Sequence, residues 1–424
     1  MAEMYENSVS PEKVLIIGVD TGEYDAEDSA RELTELVRTA GGEVFGMVIQ
    51  KRDKPDNVSY IGAGKLNETK DVIEGNEIDL AVCDCELSPN QQKFLEKFLD
   101  VRVIDRTTLI LDIFASNARS GEGKLQVELA QLKYMLPRLT GRGASMSRLG
   151  GGIGTRGPGE SKLESDKRHI RSRIHKLEEE LEELSLRRER GRQKRKKDGM
   201  TSIAIVGYTN AGKSTLLNCL TDAGVLAENK LFATLDPTAR GLKLPNGQTV
   251  MLIDTVGFIS RLPHFLVEAF KSTLEEASSA DLILTVCDIS DDNCEKQLEV
   301  TEKILADLGA GNTPRVIAYN KCDRVILGDF VFGKGSVPIC ALTGEGMSEL
   351  LEEITKALPQ RRTAAFLFPY SDGGKAEALR KSAHIFSDEY TQDGIFIRAL
   401  CDMADLGRYA EYIVPAEERE DGET

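Results

Sequence analysis

The eight residues Gly207-Tyr208-Thr209-Asn210-Ala211-Gly212-Lys213-Ser214 constrain this chain more than any other stretch. A short apolar run, Ser202 to Val206, leads into them, and a helical run from Thr215 to Leu220 leads out. Strand, glycine loop and helix in that order let backbone N–H groups curl around phosphate oxygens. The helix N-terminus adds partial positive charge at the same point. Lys213 is expected to reach the β- and γ-phosphates, and the Ser214 hydroxyl to ligate Mg²⁺, with Thr215 completing the cradle. The plainer reading is a glycine turn in an ordinary α/β sheet. All four fixed positions and both flanks are present, which argues against it. The loop alone leaves the base undefined.

Asn320-Lys321-Cys322-Asp323 speaks to the base. A carboxylate accepts two hydrogen bonds and so matches the N1–H and 2-amino groups of guanine. Adenine offers neither on that edge, and the unpaired carboxylate would cost about 1–3 kcal/mol or more. The motif stands about a hundred residues after the glycine loop, at the end of an apolar strand, Val316 to Tyr319. Cys340-Ala341-Leu342 follows a further strand, where a backbone N–H could cover the guanine O6. Asp254-Thr255-Val256-Gly257 ends another strand, with Asp254 expected to hold Mg²⁺ through water and the Gly257 N–H to sense the γ-phosphate. Thr234 is the expected switch hydroxyl that ligates Mg²⁺ only with triphosphate bound, Thr238 is the second choice, and Phe232 and Ala233 are expected beside the nucleotide. Lys213, Thr234 and Gly257 thus carry the expected catalytic roles. All of these motifs fall at carboxyl ends of strands, where open α/β sheets bind ligands.

The rest of the chain divides into regular patterns. Residues 1–118 read as a small parallel α/β subdomain, with strands from Lys13, Glu43, Leu80 and Val101 alternating with helices over Ala26 to Thr39, Leu66 to Glu74 and after Ser88-Pro89. Tyr60-Ile61-Gly62-Ala63-Gly64-Lys65 looks suited to phosphate but lacks the full loop spacing, so a tight turn entering a helix is expected. Residues 119–197 carry two helical seams, Leu125, Leu129, Leu132, Leu136, Leu139 and then Ile170, Ile174, Leu177, Leu181, Leu184. Their spacing predicts an antiparallel hairpin packed seam to seam, as in coiled coils. Its tip, 141–159, is glycine-rich and carries Arg142, Arg148 and Arg156. A plain linker and a basic probe for a phosphate-lined cavity are equally open from chemistry alone. A nucleotide domain is expected over 198–360 and a small α+β tail domain over 361–424, with a hairpin turning at Asp393-Gly394. The acidic end, Glu417 to Thr424, is expected to be disordered.

Charge sharpens one stretch. The 424-residue chain carries a net −16, against nucleic-acid binding on average. Yet Arg187, Arg188, Arg190, Arg192, Lys194, Arg195, Lys196 and Lys197 crowd the end of the second long helix. Cations suit a helix C-terminus, but eight against the single Glu189 exceed what a cap needs, so an RNA or phosphate contact is favoured. No apolar run approaches the roughly 18–20 residues of a membrane span. The first residues, Met1 to Glu6, are acidic and lack the apolar core of a signal peptide. Eight scattered cysteines, with no C-x-x-C and no Cys/His cluster, read as reduced thiols, so a cytoplasmic location is expected.

Taken together, these residues resemble the translation-factor-related GTPases. The run from Asp254 through Gly257-Phe258-Ile259-Ser260-Arg261-Leu262-Pro263 and on to Thr273-Leu274-Glu275-Glu276 resembles the HflX family. So do Gly151-Gly152-Ile153-Gly154-Thr155-Arg156-Gly157-Pro158-Gly159-Glu160 and Tyr60 to Lys65. The resemblance covers about residues 13 to 400. It implies an N-terminal α/β subdomain, a helical hairpin, a GTPase domain and a small C-terminal domain. It implies a Mg²⁺-dependent GTPase, a monomer, that cycles between GTP and GDP and binds the large (50S) ribosomal subunit. It further implies splitting or rescue of stalled ribosomes under stress, with the glycine-rich tip toward the peptidyl-transferase region. The tip and basic stalk would then contact ribosomal RNA, and part of the pool would sit on ribosomes or at a membrane surface. Phe258 stands where many GTPases carry a water-orienting Gln. It can neither donate nor accept a hydrogen bond, so slow intrinsic hydrolysis is expected, with Arg240 and Arg261 as weak arginine-finger candidates. Alternatives are a ribosome-assembly GTPase or RNA-modification partner, a P-loop ATP kinase, which Asn320 to Asp323 disfavour, and an interaction protein with a passive nucleotide domain.

Overall fold

The computed structural model describes residues 11–139, 158–197, 199–221, 231–232, 238–263, 266, 276–326, 328, 331–358 and 361–415, with the side chains of 158–163, 196–197 and 361–362 left aside. Among these residues the chain forms three sheets and a long helical pair.

The first unit alternates strictly: β1 (Lys13–Asp20), α1 (Ala26–Thr39), β2 (Glu43–Lys51), α2 (Ala63–Asn76), β3 (Leu80–Cys83), α3 (Pro89–Leu99), β4 (Arg102–Asp105) and α4 (Arg106–Asn117). The strands run parallel in the order β2-β1-β3-β4. β1 and β3 are covered on both faces, as their unbroken apolar runs require. α1 starts where the Asp25 carboxylate accepts from Glu27 N and Asp28 N, and it buries Ala30, Leu33, Leu36 and Val37. Ser88 and Gln91 form a capping box at α3 with Pro89 in the first turn, a device of about 1 kcal/mol. The Tyr60 to Lys65 stretch is a turn entering a helix: Tyr60 takes φ 63°, Gly62 caps α2, and Lys65 pairs with Glu68 at 2.9 Å. α2 begins at Ala63 rather than Leu66. α4 is an element the sequence pattern does not announce. Its Thr107, Leu109, Ile110, Leu111, Ile113 and Phe114 are buried around most of its circumference, which erases the helical period.

α5 (Gly121–Arg138) and α6 (Pro158–Lys197) run antiparallel. Arg173 grips Glu128 with two bonds of 2.7 Å, Lys133 meets Glu178 at 2.7 Å, and Arg188 meets Glu122 at 2.8 Å. The forty residues of α6 make a rod of about 60 Å. A simple seam-to-seam coiled coil does not describe the packing. Leu129 and Leu177 are buried, but the other seam residues are only half-buried. α5 buries Val127, Ala130 and Tyr134 in the core shared with α4 instead. The glycine-rich stretch with Arg142, Arg148 and Arg156 lies outside the described residues.

The second sheet has order β10-β9-β8-β5-β7-β6. It comprises β5 (Thr201–Gly207), β6 (Thr238–Lys243), β7 (Thr249–Asp254), β8 (Leu282–Asp288), β9 (Arg315–Asn320) and β10 (Ser336–Pro338). All are parallel except β6, which returns along β7 through the Asn246-Gly247 turn. One face packs Ile203, Ile205 and Leu284 on Leu216 and Leu217 of α7 (Lys213–Thr221) and on Leu350 and Ile354 of α9 (Met347–Ala357). The other face packs Ala204, Val206 and Ile283 on Leu305 of α8 (Cys294–Asp307). That second layer continues through Tyr208, Phe232 and Phe258 into the α1 and α4 core, so the two α/β units share one hydrophobic cluster.

The last unit is β11 (Arg361–Phe368), α10 (Gly373–Ser382), β12 (His384–Thr391), β13 (Gly394–Asp402), α11 (Met403–Arg408) and β14 (Ile413–Val414). The sheet is antiparallel, order β12-β13-β11-β14, which is a split βαββαβ arrangement. The expected hairpin at Asp393-Gly394 is present. α11 and the two-residue β14 are too short to leave a periodic signal.

Candidate functional site

The loop between β5 and α7 is built by close approach. Gly207 lies at φ 147°, and a Cβ there would fall 2.1 Å from the Val286 carbonyl oxygen of β8. Gly212 lies at φ 93°, where a Cβ would strike Asn320 Nδ2 at 2.2 Å. Asn210 takes a left-handed conformation at φ 60°, one of the few side chains that does so readily. Lys213 Nζ donates to the Tyr208 carbonyl at 2.8 Å, so its head is aimed into the loop. The Ser214 hydroxyl donates to Asp254 Oδ2 at 2.7 Å.

The Asp254 to Gly257 segment is stitched to the loop by backbone. Thr209 N donates to Phe258 O at 2.8 Å, and Phe258 N to Gly207 O at 3.1 Å. Thr255 Oγ1 donates to Ile205 O at 2.7 Å. A Cβ on Gly257 would meet Thr209 Cγ2 at 2.8 Å and Lys213 Nζ at 2.9 Å, so the Gly257 backbone passes directly over the lysine head. Val256 is buried beside it, and the Phe258 ring is in the core, turned away from the loop.

Asn320 braces the opposite side. Its Nδ2 donates to Ala211 O at 2.8 Å and its Oδ1 accepts from Ala341 N at 2.9 Å, so one amide ties three loops together. Lys321, at φ 63°, donates to Asp288 Oδ2 at 2.5 Å. Asp323 is exposed, and so is Leu342, while Cys340 and Ala341 are buried. Four strand ends, those of β5, β7, β9 and β10, thereby bring Lys213, Ser214, Asp254, Gly257, Asn320 and Ala341 together, with Asp323 exposed on the turn that follows β9.

Two side chains expected at the nucleotide point elsewhere. The Tyr208 ring is buried, and its hydroxyl donates to Glu32 of α1 and lies 2.6 Å from Ser260 Oγ; the loop receives only its backbone. Phe232 is buried edge-on against Phe114, with ring centroids 4.7 Å apart, and its carbonyl accepts from Asn117 Nδ2 at 2.9 Å. Ala233 and Thr234 lie outside the described residues. The two arginine-finger candidates differ in how they are held. Arg240 turns back to the Ala239 carbonyl at 2.9 Å, and Arg261 is committed to Asp84.

Sequence reasoning missed the residues that clamp this site from α1 and the strand ends β3 and β4. Arg106 donates to Asp84 Oδ1 at 3.0 Å, to Glu32, and to the Ser260 carbonyl at 3.0 Å. Arg261 donates to Asp84 Oδ2 at 3.1 Å and to Ser29 Oγ at 2.9 Å, with its guanidinium 3.8 Å over the Tyr24 ring. Two cations and two carboxylates make a neutral cluster. Burial opposes the charge on Arg106, and Glu32 and Asp84 outweigh it, holding its pKa above the ordinary value. A cavity of about 840 Å³ opens beside the cluster, between α1 and α8, and reaches Thr209 and Asn210.

The basic run at the end of α6 is partly spent inside the protein. Arg188 pairs with Glu122, and Arg192 and Arg195 approach Glu276 at 3.7 and 3.8 Å. Arg187 reaches Glu183 at 3.8 Å from an exposed position, and Arg190 and Lys194 are exposed. The side chains of Lys196 and Lys197 lie outside the described residues.

Burial depresses the Lys213 pKa from 10.5 to about 8, with Asp254 pulling the other way. The ligand-free fold therefore releases this proton as pH rises through about 8, while the unfolded chain keeps it to about 10.5. The cost of burying the ammonium is full below pH 8, and fold stability from this group rises across that window. Phosphate oxygens favour the ammonium and restore its pKa. Nucleotide binding is therefore expected to take up close to one proton at about pH 9 and almost none near pH 6.5, with affinity falling as pH rises through about 8. Calorimetry in buffers of different ionisation enthalpy measures this directly, and an absence of uptake at pH 9 contradicts it.

The donor set also suits a hard divalent cation. The Ser214 hydroxyl and the fully buried Asp254 carboxylate are oxygen donors 2.7 Å apart at a helix start, which fits Mg²⁺.

Three family profiles match the chain. "GTP-binding GTPase N-terminal" matches residues 27–115, "GTP-binding GTPase Middle Region" matches 117–195, and "50S ribosome-binding GTPase" matches 202–321. GTPase HflX of Caldanaerobacter subterraneus subsp. tengcongensis is 50% identical over 397 residues, covering 93% of this chain and 92% of that protein. GTPase HflX of Lacrimispora saccharolytica is 50% identical over 405 residues, covering 94% and 96%. A solved GTP-binding protein from Sulfolobus solfataricus in complex with GDP is 27% identical, with a TM-score of 0.44, over 82% of this chain and 98% of that one.

Proposed function

The chain belongs to the HflX family of GTPases, and from that premise we propose that it binds the large ribosomal subunit in its GTP form and splits or rescues stalled ribosomes. The observation that carries this reading is the match of the nucleotide domain to a family described as 50S ribosome-binding GTPases. In this reading Lys213 neutralises the β- and γ-phosphates, and loop amides from Thr209 to Thr215 surround them. Ser214 and Asp254, the latter through water, would hold Mg²⁺, which would supply positive charge against the negative charge that builds during transfer. Thr234 joins them as the switch hydroxyl. The Gly257 N–H senses the γ-phosphate, and Asp323 reads the guanine edge, with the Cys340–Leu342 loop, tied to Asn320, beside the base.

Among the described residues, none of the three candidate side chains for the hydrolytic water is placed to orient it. Phe258 is in the core, Arg261 is bound to Asp84, and Arg240 faces its own strand. A partner therefore completes the site, and the ribosome is the partner the basic surface suits. Arg187, Arg190 and Lys194 on α6, together with Arg142, Arg148, Arg156, Lys196 and Lys197, are the proposed RNA contacts. Arg188, Arg192 and Arg195 serve the fold first, because they hold Glu122 and Glu276.

Ribosomes are expected to stimulate GTP turnover by at least tenfold, since removing one transition-state donor costs on the order of 10²–10³ in rate. Sucrose-gradient profiles with GTP, GDP and a non-hydrolysable analogue should show the chain on 50S particles with the analogue and a fall in 70S particles. Equal turnover with and without ribosomes defeats the mechanism. Binding only to immature particles points to an assembly factor instead.

A further inference from the structure

None of the eight cysteines is disulfide-bonded, and two of them meet at the edge of the nucleotide site. Cys287 is the second-last residue of β8, and Cys294 is the first residue of α8. Cys287 Sγ donates to the Cys294 carbonyl oxygen at 3.5 Å, which sets the two residues against each other. Cys287 is only 2% exposed, whereas Cys294 is half-exposed. The Cys287 thiol lowers the Cys294 pKa, against the opposing pull of burial and of Asp288, Asp291 and Glu295. The start of a fourteen-residue helix favours a thiolate in the same sense. An accessible, thiolate-prone cysteine backed by a second thiol is the arrangement of a redox sensor with its resolving partner.

The residue after Cys287 matters for what such a bond would do. Asp288 Oδ2 holds Lys321 Nζ at 2.5 Å, and its Oδ1 accepts from Ser290 Oγ at 2.6 Å and Ser290 N at 3.0 Å. Asp288 thus joins the loop between the cysteines to the Asn320–Asp323 turn.

We propose that hydrogen peroxide converts Cys294 and Cys287 to a disulfide that loosens guanine-nucleotide binding through Asp288 and Lys321. The Cys294 thiolate attacks one peroxide oxygen, the O–O bond breaks, and sulfenic acid and hydroxide form. The Cys287 sulfur then attacks the Cys294 sulfur, the S–O bond breaks, and its proton leaves with the hydroxyl as water. Two thiols and one peroxide give one disulfide and two waters. The consequence for binding rests on the nucleotide-site reading above, but bond formation does not.

The full-length protein treated with a slight excess of hydrogen peroxide tests both halves. Non-reducing digestion at aspartates, followed by mass spectrometry, should link the Cys287 and Cys294 peptides. Cys287→Ser should stop at sulfenic acid on Cys294, trapped by dimedone, with exposed Cys219 as the reference for general reactivity. Oxidation that spares this pair, or reaches Cys219 first, overturns the proposal. Release of a fluorescent GDP should quicken several-fold on oxidation, recover with dithiothreitol, and stay unchanged in Cys294→Ser. Unchanged release from a protein shown to carry the bond overturns the regulatory half. Reduced protein that binds no GDP at all refutes the nucleotide site, and the peptide map still decides the bond.

Discussion

Asp323→Asn should lose GDP affinity by on the order of 10²–10³-fold and gain affinity for xanthosine diphosphate. Asp323 is exposed on the short turn Cys322–Arg324, directly after β9. The turn is fixed from below: Lys321 is left-handed, and Cys322 N donates to Ile339 O at 3.1 Å. The carboxylate is therefore presented on a rigid frame, and the frame does not depend on its charge. Two hydrogen bonds from guanine to a carboxylate are worth about 1.5–3 kcal/mol each, and every 1.4 kcal/mol is tenfold. An amide still accepts the N1–H but turns a donor toward the guanine 2-amino group. Xanthine carries an oxygen there and restores the match. Competition binding with GDP, XDP and ADP measures the exchange. Unaltered GDP affinity in a folded Asp323→Asn protein removes this residue from base recognition.

Arg106→Met should lower stability by about 3–5 kcal/mol, the cost of breaking a buried ion pair from one side. Arg106 and Asp84 are 2% and 1% exposed. Removing the guanidinium leaves Asp84 with Arg261 as its cation and leaves Glu32 with hydrogen bonds from the Tyr208 hydroxyl and the Ser260 N–H but without its ion pair to Arg106. It also frees the Ser260 carbonyl, two residues past Phe258, from its anchor on the first α/β unit. Adding Glu32→Gln should recover part of the loss, because the charge left without its ion pair goes with it. Denaturant unfolding of the single and double variants gives the coupling. A loss under about 1 kcal/mol for Arg106→Met shows that the cluster is solvated in practice.

Much of the nucleotide site could be read before any coordinates because its chemistry is local. A loop that turns backbone N–H groups inward needs glycine at Gly207 and Gly212, lysine and hydroxyl at the next two positions, and a strand and helix on either side. These requirements fall within the nineteen residues from Ser202 to Leu220. The Asn320–Asp323 and Cys340–Leu342 segments are equally local, and the sheet order merely brings them together. Long apolar strands announced the parallel sheets for the same reason, since a strand buried on both faces has no polar alternation. α4 escaped because a helix buried around most of its surface loses its period. Tyr208 and Phe232 were assigned to the nucleotide by position in a motif. Position fixes where the backbone goes, but the side chains went to whichever neighbour could bury them, Glu32 with Ser260 in one case and Phe114 in the other.

What the sequence determined by itself is the strand, glycine loop and helix around Gly207–Ser214, the Asn320–Asp323 turn at a strand end, and the succession of α/β unit, helical pair, nucleotide domain and tail sheet. The tertiary structure alone decided which charges were available for outside partners. Glu32, Asp84, Arg106 and Arg261 are ordinary charged residues in the sequence, up to 229 positions apart, and nothing local marks them as a buried neutral cluster. Arg188, Arg192 and Arg195 look like RNA contacts in a basic run until Glu122 and Glu276 are brought against them from distant parts of the chain. A charge acts on whatever lies within a few ångströms, and in a folded chain that distance bears no relation to separation along the sequence.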